Sequence, residues 1–534
     1  MRPPCDEAAM RSGRDGDPCA GDARIWILTA TILGSSMAFI DSTVVNVALP
    51  AIQGVFHATV VDVQWVVESY GLFLGSLILV GGSLGDIFGR RRIFVAGVAI
   101  FAMASVACGV ALSIHQLIFA RSVQGVGAAL LVPGSLAIIS ASFDEKRRGQ
   151  AIGTWSGFTA ITTAVGPVLG GWLVQHASWR WAFLINLPLA AAVVVISLWR
   201  VPESRSVIGG RIDWSGAVLA IFGLGGLVYG FIESVSLGWG NPLVFGSLIA
   251  GFGCLLAFVF VEARTIAPMV PLMLFRSRGF SGANLLTLFL YAAIGIFFFV
   301  FPLDLIQVQE YSPTATGVAL LPLILLIFLF SRWSGGLVAR YGWRGPLIIG
   351  PIVAALGFAL FAVPSIGGNY WKTFFPAVVV LGFGMTVTVA PLTTVVMSSV
   401  DQDRVGTASG INNAVARVAG LLAIAVFGIV MVNAFASRLH HNLAHLMLPS
   451  GIQQELEANE IKLAGLQAPI GLDASTRAAI KESVGEAFVF GFRMIMLICA
   501  GLSLASAAAA LVMIPKQSDS SGRSAGSDPA LGQA

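Results

Sequence analysis

Apolar segments long enough to cross a lipid bilayer recur fourteen times along this chain of 534 residues. A helix that spans the roughly 30 Å hydrocarbon core needs about 20 such residues. Only 11% of the residues are charged, against about a quarter in soluble domains, so the sequence predicts an all-α polytopic membrane protein. The segments are 25–48, 64–83, 93–112, 116–140, 150–173, 180–199, 214–236, 243–262, 280–302, 315–339, 345–364, 374–397, 406–431 and 487–514.

The loops between these segments alternate in basic content, and this predicts an orientation. Loops on the cytoplasmic side of a membrane carry an excess of lysine and arginine. Every second loop is basic, so we expect both termini in the cytoplasm and a multi-pass protein of the inner (cytoplasmic) membrane. The basic loops contain Arg90–Arg92, Lys146–Arg148, Arg200–Arg211, Arg264–Arg278, Arg340–Arg344 and Arg404.

Residues that bind metals, cofactors or nucleic acids are sparse. The five cysteines have no paired spacing, and the six histidines all fall in segments expected to lie outside the cell. The chain contains no P-loop motif for a nucleotide. We therefore expect no cofactor, no metal, no nucleic-acid partner and no enzymatic activity.

A glycine-rich charged segment, Gly82–Arg92, follows the second apolar segment, and a degenerate copy follows the tenth at Gly335–Arg344. Other positions repeat at a similar offset, for example Pro133 and Pro391. Two related halves that rock against each other are a common way to build a transporter. The expected organisation is a disordered tail (1–24), a six-helix bundle (25–200), two inserted helices with their loops (201–279), a second six-helix bundle (280–514) that includes an outer loop (434–486), and a disordered tail (515–534).

Six further patterns, in order along the chain, resemble one family over nearly the whole sequence. The chain resembles the major facilitator superfamily, and within it the 14-helix drug:proton antiporter branch of the EmrB/QacA type. The resemblance implies a major facilitator fold with 14 helices arranged 6+2+6 in two pseudo-repeated bundles. The patterns are Asp41–Pro50, Gly82–Arg92, Arg121–Gly127, Gly166–Gly171, Trp179–Pro188 and Asp213–Gly216.

The resemblance also implies a function and partners. The expected activity is proton-coupled export (antiport) of small lipophilic or cationic drugs across the membrane by alternating access, carried out by a monomer. The alternative is a dedicated exporter of one endogenous metabolite, lipid, siderophore or antibiotic. Some exporters of this branch pass substrate to a periplasmic adaptor protein. The outer loop 434–486, where we expect short amphipathic helices, is either the place for such a contact or a surface cap without a specific partner.

Charges inside the apolar segments are the first candidates for a transport site, because a charge at the bilayer centre costs at least about 2.5–3.5 kcal/mol. Asp41, Arg121 and Glu68 lie at comparable predicted depths in the first, fourth and second segments. An acid beside an arginine can couple a proton to helix motion, whereas a static ion pair between helices is the structural alternative. Asn46 lies either at the cavity edge or in a helix-packing hydrogen bond.

The second half has a mid-membrane arginine, Arg417, with no acid at a matching depth in its own half. Its partner is left open. Three acids, Glu233, Asp304 and Glu310, are expected near the outer interface. They either attract cationic substrates or solvate helix ends, and we prefer the second interpretation.

The charged segment between the second and third apolar segments is a candidate gating hinge. Gly82 and Gly89 permit a tight turn, and Asp86 can pair with Arg90. The alternative is that the arginines serve only to fix the topology. The second copy has Ala339 at the position of Asp86, so we expect it to keep the turn and lose the ionic contact.

The fifth segment carries glycines at four-residue spacing, up to Gly157, and then Gly166, Pro167 and Gly170. This spacing predicts close approach of another helix, with a bend at the proline. The resemblance implies a glycine-faced gate, although Thr162 departs from a pattern that often has glycine there. Dense packing alone is the alternative.

Overall fold

The computed structural model describes residues 21–143, 145–205, 213–266, 268–400, 405–446, 448–469 and 471–515. Within these ranges it has fourteen helices long and apolar enough to cross a membrane and no strand. The expected fold class is thus confirmed. The helices are α1 (Gly21–Phe56), α2 (Val60–Phe88), α3 (Arg90–Gly109), α4 (Ile114–Ser142), α5 (Glu145–His176), α6 (Trp181–Arg200), α7 (Trp214–Leu237), α8 (Pro242–Glu262), α9 (Arg278–Leu303), α10 (Pro313–Tyr341), α11 (Arg344–Phe361), α12 (Tyr370–Ser398), α13 (Val405–Ala444) and α14 (Ala474–Met513).

Local sequence explains where several helices begin. Thr59 caps α2 in a capping box with Asp62, whose carboxylate accepts from the Thr59 backbone N–H. Asn241 and Ser312 cap α8 and α10, and a proline follows each of them at the first helical position. Inside a bilayer no water is available for the backbone, so complete helices are the only form these single segments can take.

The helices form two six-helix bundles, α1–α6 and α9–α14, and the bundles meet along two seams. In the first seam α2 packs on α13, and in the second α5 packs on α10. The inserted helices α7 and α8 pack on each other, and α7 leans on both α2 and α13. We call the end where α1 begins and α14 ends the terminal side, and the opposite end the far side.

The long outer loop is shorter than the sequence suggested. Residues 434–444 continue α13, and residues 474–486 belong to α14, because both helices extend beyond their apolar segments. The part between them, which we call the cap (448–469), contains a short helix, Ser450–Ala458, whereas the segments whose apolar spacing predicted short helices, 439–443 and 478–484, belong to α13 and α14. Leu456 and Leu463 of the cap are buried in the hydrophobic core. The cap therefore belongs to the folded body of the protein at the far side.

The predicted terminal tails fall largely outside the described residues. Of the tail 1–24, residues 1–20 are not described, and α1 begins at Gly21. Of the tail 515–534, only residue 515 is described.

Candidate transport site

Asp41 and Arg121 meet in the centre of the first bundle. Asp41 Oδ2 on α1 lies 2.5 Å from Arg121 Nη1 on α4. The two side chains are 0% and 1% exposed. The matching depths inferred from the sequence thus correspond to a direct ion pair that solvent does not reach.

Three neutral side chains complete the surroundings of Asp41. Gln124 on α4 and Asn186 on α6 donate to Asp41 Oδ1 over 2.8 and 3.3 Å. Both amides also donate to Ser105 Oγ on α3, over 2.9 and 3.4 Å. Four helices therefore contribute to one polar group, the Asp41 cluster, which consists of Asp41, Ser105, Arg121, Gln124 and Asn186.

Arg121 also ties the cluster to α2. Its Nε donates to the carbonyl oxygen of Val66 over 3.0 Å. Its guanidinium lies 4.2 Å from the ring centre of Tyr70, an attractive arrangement for a cation and an aromatic face. A change in the Asp41–Arg121 pair would therefore alter the contacts of Arg121 with α2, the helix that forms one side of the first seam.

The sequence analysis did not single out Gln124, Asn186 or Ser105. Gln124 follows Arg121 by three positions and so shares its helix face, and Asn186 belongs to the Trp179–Pro188 pattern. Both therefore had a usable signal. Ser105 had none, since an isolated serine in a helix commonly bonds to its own backbone.

The chemistry of the cluster depends on the charge of Asp41. While Asp41 is ionised, both of its oxygens are hydrogen-bonded, and removing one partner of such a pair costs about 3–5 kcal/mol. A proton added to Asp41 removes the charge opposite Arg121, and the guanidinium is then held by its hydrogen bonds to Gln124 Oε1 and the Val66 carbonyl. The cluster can therefore act as a lock between α1 and α4 or as a proton-sensitive contact. Nowhere in the described ranges do three or more histidine, cysteine or acidic side chains form a group that could hold a metal ion.

Glu68 and Asn46 are not part of the cluster. Glu68 on α2 is 1% exposed, and neither of its carboxylate oxygens has a hydrogen-bond partner among the described residues. Asn46 on α1 is half-buried. Its amide has no hydrogen bond to the described part of the chain, so the packing hydrogen bond considered from the sequence is not formed in this state.

Arg417 on α13 faces the first bundle. A Cβ atom added to Gly75 of α2 would lie 3.6 Å from Arg417 Cβ, across the first seam. The Arg417 Nε is buried and has no hydrogen-bond partner within the described ranges. Tyr70, which underlies Arg121, is close enough to Arg417 for an electrostatic interaction. The arginine without an acid in its own half thus points toward the half that contains the ion pair.

The polar contact inside the second bundle is neutral. Asn412 on α13 donates from Nδ2 to Asn284 Oδ1 and Thr287 Oγ1 on α9, over 3.1 and 2.8 Å. These side chains tie α9 to α13 without any charge.

The acids expected at the outer interface differ from one another. Asp304, in a π-helical turn after α9, is 1% exposed, so the interpretation that it solvates a helix end is wrong. Glu233 accepts from Trp65 Nε1 over 2.8 Å and so joins α7 to α2. Glu310 is solvent-exposed and pairs with Lys481. The hydrogen bond from Lys481 and its charge lower the pKa of Glu310 below its usual value.

The first charged segment is a hinge of one residue. Only Gly89 separates α2 from α3, and its φ of 111° is a conformation that favours glycine. Asp86 and Arg90 form the expected pair, with Oδ1 2.8 Å from Nη2. The expectation that Gly82 forms the turn is wrong, because Gly82 lies inside α2 and Gly89 alone supplies the positive φ.

This first hinge is fastened to the segment that follows α6. Glu203 accepts from the Arg91 backbone N–H over 3.1 Å, and Arg91 Nη1 donates to the Val201 carbonyl over 3.0 Å. A Cβ atom at Gly89 would lie 2.6 Å from Glu203 Oε1. The positive φ is what requires glycine here, since the Glu203 carboxylate is the end of a flexible side chain. The sequence analysis had not identified Glu203.

Among the described residues, the second hinge repeats this arrangement without an acid. Gly342, with a φ of 68°, follows α10. Arg344 donates to the Leu511 carbonyl, and Trp343 Nε1 donates to the Pro515 carbonyl over 3.2 Å. The second hinge therefore holds the end of α14 as the first holds the end of α6, and the contacts described for it go to backbone oxygens. The side chain of Ala339, which the sequence places at the Asp86 position, is outside the described structure.

Glycines of α5 pack on α1 just after Asp41. A Cβ atom at Gly166 would lie 2.0 Å from Thr43 Oγ1, and one at Gly170 would lie 2.8 Å from a Val44 methyl carbon. Larger residues at either position would push α5 away from the helix that carries the ion pair. The close packing predicted for these glycines is confirmed.

The opposite face of α5 closes the second seam at the far side. A Cβ atom at Gly171 would lie 2.2 Å from the Pro313 carbonyl oxygen of α10. Conversely, a Cβ atom at Gly317 of α10 would lie 2.2 Å from the Pro167 carbonyl oxygen. The two backbones are thus in direct contact there.

Toward the terminal side the same two helices diverge. No described atom lies within 4 Å of a Cβ atom added at Gly153 or Gly157 on α5, or at Gly335 or Gly336 on α10. The close approach predicted at Gly157 is therefore absent in this state, since the far ends of α5 and α10 touch and their other ends splay apart. The second seam is closed at the far side and open at the terminal side.

Two pseudo-repeated six-helix bundles with matching hinges are the architecture that the sequence motifs implied. Residues 31–424 match the sequence model of the Major Facilitator Superfamily. The chain belongs to this superfamily. It is a multi-pass membrane transporter with fourteen candidate spanning helices in the described ranges, and the resemblance stated from the motifs is confirmed.

Relatives of this transporter are named for drug resistance. Multidrug resistance protein Stp of Mycobacterium tuberculosis is 35% identical over 492 residues, which cover 88% of each chain. Tetracenomycin C resistance and export protein of Streptomyces glaucescens is 33% identical over 509 residues, which cover 94% of each chain.

A solved structure with the same fold is a bacterial homologue of the human lysosomal transporter Spinster, in an inward-facing and unoccupied conformation. The TM-score is 0.63 with 18% identity, and the match covers 93% of this chain and 100% of the other. At this identity the likeness concerns the fold alone.

Proposed function

We propose that this transporter exports small lipophilic or cationic compounds from the cell in exchange for protons. The observation that carries the proposal is the Asp41–Arg121 pair, fully buried in the first bundle and bonded to the helix that forms the first seam. A buried charge inside a membrane helix is expensive and is commonly part of an ion or substrate pathway. The resistance and multidrug names of the relatives agree with this activity.

The geometry of α5 suggests how the two sides alternate. In the second seam the far side is closed by contact between α5 and α10 and the terminal side is open, whereas the first seam keeps a contact toward the terminal side, where a Cβ atom at Gly410 would lie 3.1 Å from a Leu79 methyl carbon. With the termini in the cytoplasm, as the basic loops predict, this is the state that takes up substrate from the cell interior. Rocking the bundles about the seams would close the terminal side and open the far side. The Asp86–Arg90 pair and Glu203 would hold the first hinge in the present state and release it in the other.

The proposal is tested with purified protein in proteoliposomes. An imposed pH gradient should drive uptake of a fluorescent lipophilic cation by the wild type, together with a counterflow of protons. Asp41→Asn keeps the size of the side chain and removes its charge, so it should abolish this exchange. Asp62→Asn, which alters a partly exposed capping residue at the far side, is the matched control and should retain it. Unchanged exchange in Asp41→Asn would exclude the coupling role.

A second candidate is export of one compound that the cell itself makes. The name of the Streptomyces glaucescens relative, which describes resistance and export of tetracenomycin C, favours it. Cells with and without the gene would be compared for accumulation of a drug panel and for metabolites in the medium. Protection against many drugs supports the first function, whereas loss of a single secreted compound supports the second.

Location and assembly follow from the same proposal. The transporter would act as a monomer in the cytoplasmic membrane. The cap would face the exterior, where an adaptor protein could bind it. Cross-linking of the cap in intact cells, with mass spectrometry of the products, would detect such a partner.

A further inference from the structure

Two charged side chains with buried polar atoms that have no hydrogen-bond partner in the described ranges lie on the same seam between the bundles. Neither carboxylate oxygen of Glu68 on α2 has a hydrogen-bond partner in the described part of the chain, and the same is true of Arg417 Nε on α13. Charges of opposite sign are rarely left unpaired in a membrane protein unless they change partners during function. The inference drawn from them rests on the proposed proton-coupled export.

Glu68 lies on the face of α2 that packs against α13. Gln64 Nε2 donates to the Ile424 carbonyl over 3.2 Å, and a Cβ atom at Gly71 would lie 3.2 Å from Leu421. With 3.6 residues per turn, Glu68 projects within about 60° of both Gln64 and Gly71. Its carboxylate is therefore enclosed in the first seam between these two contacts.

Arg417 lies on the matching face of α13. Leu421 and Ile424 follow it by four and seven positions, so all three residues share one side of the helix. Gly75 packs on Arg417 and Gln64 packs on Ile424, which places Glu68 opposite Ile424. Arg417 is then two helical turns, about 10.5 Å along the axis, nearer the terminal side than Glu68.

The other charged groups near this part of α2 already have partners. Arg121 of α4 reaches α2 at Val66 but is paired with Asp41. Glu233 of α7 accepts from Trp65. Arg417 is therefore the cation on the seam that is available to Glu68.

We propose that Glu68 carries a proton in the state described here, and that in the opposite state it is ionised and paired with Arg417. As a neutral acid, Glu68 can be buried without a partner at much lower cost than as a carboxylate. A one-turn shift of helix against helix, about 5.4 Å, with reorientation of two long side chains, brings the groups together. A proton that arrives from the far side then breaks the pair and favours far-side closure. It leaves to water on the terminal side before the cycle repeats.

The test measures the population of the two states as a function of pH. Spin labels at Leu112 and Val363, exposed far-side positions on the two bundles, report far-side opening. The native cysteines are replaced by serine in a chain that retains exchange. The wild type should shift from far-side closed to far-side open as pH rises. Glu68→Gln, which mimics the protonated acid, should remain closed at every pH, and Arg417→Gln should do the same.

A double-mutant cycle distinguishes a pair from two separate effects. If Glu68 and Arg417 act on each other, Glu68→Gln/Arg417→Gln should lower pH-driven exchange no further than either single change, about tenfold or more. Glu233→Gln, an acid on α7 outside the seam, should leave the pH response unchanged.

Additive losses, or a normal pH response of Glu68→Gln, would overturn the inference. Failure of the proposed function looks different, because the wild type would then show no proton-coupled exchange at all.

Discussion

The two bundles share one fold but treat charge in opposite ways. The first bundle encloses the ion pair Asp41–Arg121, whose side chains are at most 1% exposed. The second joins its helices with the neutral contact of Asn412, and its own pair, Lys481–Glu310, has side chains 70% and 66% exposed. Both halves thus share helix packing, and the second half also buries charge at Asp304, but the fully buried ion pair belongs to the first half. This difference suggests that a change in charge acts on the first bundle, and that the second bundle moves in response.

The hinges repeat the contrast on a smaller scale. Each has a glycine of positive φ, Gly89 and Gly342, and each is fastened to the last helix of its own bundle. Within the described part of the chain, carboxylates contribute to the first hinge alone, from Asp86 and Glu203. Backbone geometry is therefore common to both halves, and the ionic contacts belong to one.

The largest expected difference between the bundles is in stability. Arg121→Ala leaves Asp41 buried without its cation, so we expect a loss of about 3–5 kcal/mol. Asn412→Ala removes neutral hydrogen bonds from the second bundle and should cost only about 1 kcal/mol. Denaturant unfolding in detergent micelles, followed by tryptophan fluorescence, measures both. Equal losses would show that charge segregation has no energetic consequence.

The second prediction compares the two ends of α5. Gly171→Val forces a side chain against the Pro313 carbonyl, and overpacking of this kind costs typically about 1–3 kcal/mol. Far-side closure should therefore be disfavoured and export reduced. Gly157→Val places the same side chain where the two bundles have separated, so it should spare the present state.

The far-side spin-label distance measures this effect. It should lengthen in Gly171→Val and remain unchanged in Gly157→Val. The opposite pattern would mean that the glycines near the terminal side control the closed contact.

Much of the fold was predictable because apolar length is a direct consequence of bilayer thickness. Depth placed Asp41 and Arg121 at one level, but it placed Glu68 there as well, so the pair was one of several arrangements that depth allowed. The positions of Ser105 on α3 and Asn186 on α6 beside the pair were not predicted. Which faces of these helices meet depends on packing that the local sequence does not encode. The predicted boundaries of α13 and α14 were wrong for a related reason. Once a helix leaves the membrane, residues such as Arg438 and Glu486 no longer mark its end.

The third prediction concerns the hinges. Asp86→Asn removes a partly exposed pair within one helical turn, and pairs of this kind contribute at most about 1 kcal/mol. The state populations should shift modestly toward far-side opening. Arg344→Gln, which affects only contacts to backbone oxygens in the second hinge, should shift them less. A larger effect of Arg344→Gln would contradict the proposal that the ionic contacts of the first hinge stabilise the present state.

The smallest effect is expected at the exposed pair of the second bundle. Lys481 lowers the pKa of Glu310 in the folded protein, so the pair stabilises the fold at pH values above the unfolded pKa of glutamate, about 4.3. This contribution is lost as pH falls through the lowered folded pKa, because protonation removes the charge. Glu310→Gln should therefore differ slightly from the wild type in thermal stability near neutral pH and match it in acid. High salt should also remove the difference, since solvent-exposed charges are screened. A difference that persists in acid or in high salt would mean that Glu310 contributes through packing, and the second bundle would then no longer contrast with the first in how it uses charge.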